Sequence, residues 1–186
     1  LFSHYLDMTE YRYHGKFQSH GFQCAMGTVI MSACFDEFLK MDLSKIDVDA
    51  CVAAWPTLEQ EQKRALEIFK DFPVPQLGYT EITKKYNDAE TVRKQLTKVK
   101  ENWPDLKSRI KNQVYSYDKM VALMKSVGAP VGPESIGLTR AQVRKMVDFV
   151  QLMRWRINLF DLCKRAQIYD VLLEKVFGKG GVLEIK

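Results

Sequence analysis

Apolar residues recur along this chain at helical spacing. Residues 20–41, HGFQCAMGTVIMSACFDEFLKM, carry small or apolar side chains on nearly every face until the charged end, which predicts a helix buried on several sides. Pro56 precedes Thr57-Leu58-Glu59-Gln60, a capping box, so a helix should run from there to about residue 72 with Leu58, Ala65, Leu66 and Phe69 on one side. Phe72-Pro73-Val74-Pro75 should end it, since proline has no N–H and restricts the residue before it. From 79 to about 125 the apolar positions thin to single stripes: Val92, Leu96 and Val99, then Leu106, Ile110, Val114, Met120 and Leu123. Two or three helices are expected there, punctuated at Asn87-Asp88 and Pro104. In 126–142, Gly128 suits a position just past a helix end, Pro133 the first turn of a short helix, and Thr139 with Gln142 a second capping box. Val143, Met146, Val147, Val150 and Met153 then mark an amphipathic helix, followed by NLFDLCKRAQ and YDVLLEKVFG. No segment alternates with period two between hairpin turns, and no strand precedes a glycine loop. The expected fold is all-α, about eight helices without internal repeats, and lacks a nucleotide-binding fold of its own.

Composition adds limits. A chain of 186 residues that is 46% hydrophobic and 27% charged can bury the core of one domain. Its net charge of +5 comes from 28 basic and 23 acidic residues spread along the chain, which implies a solvated surface and no nucleic-acid partner. Cys24, Cys34, Cys51 and Cys163 match no CxxC pattern and have apolar or small neighbours, so they read as buried free thiols of a reducing, cytoplasmic compartment. The most apolar run, 24–35, is too short to span a bilayer, so no membrane association is expected and no secretory leader is visible. The start at Leu1, inside an apolar helical pattern and without Met, predicts that residues precede it in the whole protein.

All three histidines fall within the first twenty residues, at His4, His14 and His20. The separation of His4 and His20 fits no local zinc motif. Their settings differ, however. His14 sits in the polar loop YRYHGKF, as a solvent-facing side chain. His4 lies between Phe2 and Leu6 on a helix, and His20 stands at the edge of the buried helix, followed by Gly21. Two imidazoles on the rims of packed elements can converge on one cation when a loop joins the two helices.

The segments LFSHYLDM and SHGFQCAMGTVIM resemble the two histidine segments of the iron-containing alcohol dehydrogenase, glycerol dehydrogenase and dehydroquinate synthase superfamily. The later stretch VGAPVGPESIGLTRAQVRKMVDFVQLMRWRINLFDL is similar to the end of sn-glycerol-1-phosphate dehydrogenases. The resemblance spans 1–41 and 126–170; between them the chain matches only in being helical. It implies a helical C-terminal half whose active site lies in the cleft with an N-terminal nucleotide-binding α/β domain absent from this chain. It further implies that His4 and His20 are metal ligands, that the third ligand is an Asp of the absent domain, and that His14 matches no ligand position. Two positions depart from the family: Phe22 stands where Glu commonly follows the HG pair, and Arg156-Ile157-Asn158 where Arg-Tyr-Thr is expected. Both bear on substrate preference.

What the resemblance implies chemically is reduction of dihydroxyacetone phosphate to sn-glycerol 1-phosphate, with a divalent ion (zinc, nickel or iron) polarising the ketone and NAD or NADP, held by the absent domain, supplying hydride. Arg12 and Lys16, in the loop between the histidines, are candidate contacts for the phosphorylated triose, against a plain role in solubility. Alone, the chain is expected to be inactive, and its domain-facing apolar wall to favour self-association into a homo-oligomer. Two other readings remain open: a dehydrogenase of glycerol or another unphosphorylated polyol, and a non-catalytic helical interaction module with incidental histidines.

Overall fold

The computed structural model describes residues 1–186. Eleven α-helices, two 3-10 turns and one small hairpin follow each other along the chain. The all-α class expected from the sequence is observed, but helices outnumber the expected eight because the weakly patterned stretches hold short elements that periodicity cannot resolve.

At the centre is α2 (His20–Lys40), with Met26, Val29, Ile30, Ala33, Cys34 and Phe38 fully buried. A short helix before it, α1 (Phe2–Met8), and three after the middle of the chain, α9 (Arg140–Leu152), α10 (Leu159–Arg165) and α11 (Tyr169–Phe177), share one core of 23 buried residues with α2. Val143, Met146, Val147 and Val150 of α9 face that core at the expected spacing. No helix is long and apolar enough to cross a membrane.

Two smaller cores flank the large one. Between α4 (Leu58–Phe69), α5 (Leu77–Lys85) and the end of α9, Ala65, Phe69, Phe72, Ile82, Leu152 and Met153 pack together. Here Gly78 is required by contact: a Cβ on it would lie 2.6 Å from the ring of buried Phe69, so only glycine lets α5 approach α4 so closely. On the other side, α3 (Val48–Ala53) and α6 (Ala89–Glu101) bury Cys51, Val92 and Leu96 against Ala166. α7 (Trp103–Gln113) contributes Trp103, edge-on to Phe38, whereas α8 (Tyr117–Ser126) buries no residue fully and lies along α2.

Local signals place the helix ends as expected. Thr57 with Gln60 and Thr139 with Gln142 both form complete capping boxes. Gly128 takes the left-handed conformation just past α8, and Pro133 opens a 3-10 turn, Pro133–Ile136. Other expectations fail. Leu66 and Leu123 are exposed, because each falls on the outer edge of its stripe. Residues 12–17, expected as a loop, pair as a hairpin of two-residue strands, β1 (Arg12–Tyr13) and β2 (Lys16–Phe17), around a turn with positive φ at His14 and Gly15.

Candidate functional site

A seven-residue helix such as α1 is too short to persist on its own in water. It persists through Phe2, Ser3 and Leu6, all buried. Phe2 meets α2 at Gly27, where an added Cβ would lie 3.2 Å from the Phe2 Cβ, so the two helices approach closely. On α2, the Ser19 hydroxyl caps the helix by accepting the Phe22 N–H at 3.2 Å, which makes His20 its first residue.

That packing sets exposed faces of both helices side by side. His4 and Asp7 are one turn apart on α1, and His20 and Cys24 are one turn apart on α2. Asp7 Oδ2 lies 3.9 Å from His20 Nδ1, and Cys24 Sγ lies 3.4 Å from His20 Nε2. The Gln23 amide, buried in the seam, donates to Asp7 Oδ1 at 2.9 Å and to the Gln18 carbonyl at 3.3 Å. Its Oε1 is buried and accepts no hydrogen bond from another protein group.

The structure therefore sets His4 and Asp7, one turn apart on α1, beside the helix that carries His20, with the Asp7 carboxylate 3.9 Å from the His20 ring. His14 is left at the tip of the hairpin, its ring 4.1 Å from that of Tyr13. Cys24, expected to be buried, is exposed, because it shares His20's outward face while Cys34, Cys51 and Cys163 point into the cores. No three His, Cys, Asp or Glu side chains converge tightly enough to hold a metal ion by themselves. The rim offers nitrogen, oxygen and sulfur donors suited to a borderline divalent ion, and a complete coordination shell would need a ligand from beyond them.

Beside His4, the turn at 154–158 contributes two arginines. Leu1, His4 and this turn line a cleft of about 440 Å³, and Arg154 also borders a second one, of about 210 Å³, with His4 and Glu81. The sequence marked Arg156 only as part of a family position bearing on substrate preference, gave no sign of Arg154, and offered Arg12 and Lys16 as the phosphate contacts. Those two instead lie on the hairpin strands, with the Arg12 guanidinium 3.7 Å above the Phe17 ring.

The His4 pKa is lowered, first by partial burial and then by the positive charges of the N-terminal ammonium and Arg154; Asp7 opposes the shift and His20 adds to it. Folded His4 thus holds its proton less readily than in the unfolded chain. Its contribution to stability is complete above the unfolded value of about 6.5 and is lost as the pH falls below it. Arg154→Gln removes one of the opposing cations and should raise the His4 pKa in an NMR titration of its ring protons; an unmoved titration would place the guanidinium away from His4.

No protein-family model, no curated protein and no solved structure matches this chain.

Proposed function

We propose that this chain is the metal- and substrate-holding helical half of an NAD(P)-dependent sn-glycerol-1-phosphate dehydrogenase that reduces dihydroxyacetone phosphate in the cytoplasm. The observation that supports the reading is the packing of α1 on α2, which carries His4 and His20 on adjoining exposed helix faces with Asp7 of α1 3.9 Å from His20. A divalent ion bound there, whether zinc, nickel or iron, would act as a Lewis acid toward the substrate ketone.

The chain's own residues have definable parts. His4 and His20 must be neutral to offer lone pairs, and the lowered pKa of His4 keeps it so at pH values where an ordinary histidine begins to protonate. Asp7, held by Gln23, keeps its carboxylate 3.9 Å from His20 Nδ1, a neighbouring charge outside hydrogen-bond distance, and Nε2 is the nitrogen that would face the ion. Nε2 is also the nitrogen nearest Cys24, which places the thiol next to the ligating position.

Support for a second body closing this site comes from the surface around it. Phe22, Trp155 and Ile157 are large apolar side chains left 43%, 55% and 51% exposed. Exposed apolar side chains of this size are what a partner unit covers, and in this reading the partner is a nucleotide-binding domain that brings the nicotinamide and a further ligand. The three unpaired buried thiols and exposed Cys24 fit a reducing compartment.

Zinc titrated into the chain tests the reading. In a proton–carbon NMR spectrum the ring signals of His4 and His20 should move together at the same zinc concentration, while those of His14 stay in place. Equal movement of all three, or none, would overturn it.

A further inference from the structure

The geometry points to Lys164 as a nucleophilic amine that takes short, uncharged aldehydes as an imine, in a cleft that shares no residue with the histidine rim. The inference is independent of the proposed function.

The first observation is the cleft. Trp55, Glu61, Lys164, Tyr169 and Asp170 are among the residues lining a space of about 190 Å³ where α4 faces the junction of α10 and α11. Sites for drug-sized ligands begin at roughly 300 Å³, so this one suits a molecule of about two or three carbons. Its aromatic walls are fixed. Trp55 stacks on Tyr86 with ring centroids 6.0 Å apart, and its indole N–H donates to the Asn87 carbonyl at 2.9 Å. Tyr169 is buried, and its hydroxyl donates to Asp148 at 2.6 Å. Walls already in place need not be ordered by a ligand. Glu61 and Asp170 give the lining two carboxylates, which disfavour an anion.

The second is the state of the amine. Half-buried Lys164 places Nζ 4.2 Å from the centroid of the Tyr169 ring and makes neither an ion pair nor a hydrogen bond through it. Lys85, by contrast, is buried and paired with Asp161. The acids around Lys164 are turned elsewhere: Glu61 accepts two N–H groups of Arg64 at 3.0 and 2.9 Å, and Asp148 is engaged by Arg144 and Tyr169. Asp170, exposed at the start of α11, is uncommitted. Burial lowers the Lys164 pKa and Arg64 adds to the shift, with Asp170, Glu61 and Asp148 opposing it. A larger share of this amine therefore carries a free lone pair than at an exposed lysine.

Imine formation needs no oxidant or reductant. Neutral Nζ attacks the carbonyl carbon, a C–N bond forms, and the carbonyl oxygen takes up a proton to give a carbinolamine. The C–O bond then breaks as C=N forms. In sum, the two hydrogens of the amine leave on the former carbonyl oxygen as water. Asp170, in the same lining as Lys164, is the group placed to relay those protons.

Glycolaldehyde with cyanoborohydride, which reduces the imine to a stable secondary amine, tests the site on the full chain at neutral pH, with peptide mass mapping of every lysine. Lys164 should be labelled at least about ten-fold faster than exposed Lys63, Lys111 and Lys145, as a freer lone pair beside a proton relay predicts. Glyoxylate, an aldehyde of the same length that carries a carboxylate, should show a smaller preference for Lys164 over the same three lysines. Asp170→Asn removes a charge that favours the ammonium, which by itself would speed labelling; loss of the relay should instead slow it by at least about ten-fold at Lys164 and leave the other lysines unchanged. An unchanged thermal melt shows that this surface variant keeps the fold. Lys164 labelling no faster than that of the three surface lysines, or an equal preference with glyoxylate, overturns the site. Unchanged or faster labelling in Asp170→Asn overturns the relay.

Discussion

Asp161→Ala is expected to lower the stability of the fold by about 3–5 kcal/mol, the usual cost of removing one partner from a buried ion pair. Lys85 Nζ lies 2.7 Å from Asp161 Oδ1, and the two side chains are only 2% and 6% exposed. Lys85 also donates to the Gln151 carbonyl, and the Gln151 amide donates to the same Asp161 oxygen at 2.7 Å. Burial lowers the Lys85 pKa, and Asp161 is the first of the groups that oppose this. Without the carboxylate, the ammonium would remain in a dry site with only a carbonyl to face. Asp161 also completes the capping box of α10 with Asn158, so the same substitution frees one end of the arginine-bearing turn. Urea unfolding should show a lower midpoint with an unchanged slope, the mark of lost stability in a fold of the same extent. Replacing both partners, Lys85→Met with Asp161→Leu, should recover most of the loss, because no unpaired charge is then buried. A single-variant loss under about 1 kcal/mol, the level of an exposed pair, would mean that water reaches Lys85.

Which parts of this architecture could be read from the sequence follows from how local each determinant is. α2 is legible because it is apolar on nearly all sides, a property of the segment alone. The two Thr-to-Gln capping boxes are legible because donor and acceptor lie three residues apart. The third box, Asn158 with Asp161, has the same logic in less common residues and passes unnoticed in NLFD. α3, with six residues, is shorter than two helical turns and leaves no periodicity to detect. Burial of a single residue is less legible still: Cys24 and Cys34 have similar neighbours in sequence, yet only Cys34 points inward, because the side facing the core is set by partners far along the chain. The site divides in the same way. The histidines stand out as rare residues on helix rims, and Asp7 could have been found from its spacing of three from His4. Arg154 could not: it reaches residue 4 only once α1 packs on α9 and α5 braces the turn.

The same dependence on packing fixes what loss of either rim histidine should do. His20→Ala is expected to weaken zinc binding to the chain by more than the roughly 10–100-fold that removal of an outer hydrogen-bond partner costs, because it deletes a donor atom outright. His4→Ala should do the same, and His14→Ala should leave affinity unchanged, since the hairpin tip contributes nothing to the rim. Asp7→Asn forms the graded case. Its oxygen lies 3.9 Å from His20 Nδ1, a neighbouring charge and not a donor atom to the ion, so the loss should be smaller than that of either histidine and stay within that 10–100-fold range. Calorimetric titrations at two pH values give the sign a second check. Proton competition weakens binding as the pH falls, but the lowered His4 pKa delays its share of that loss to more acidic conditions than an unperturbed imidazole would show. If Asp7→Asn and His14→Ala prove indistinguishable, Asp7 does not orient a ligand. If both histidine variants bind zinc as the parent chain does, the rim is not a metal site, and the dehydrogenase reading loses the residues on which it stands.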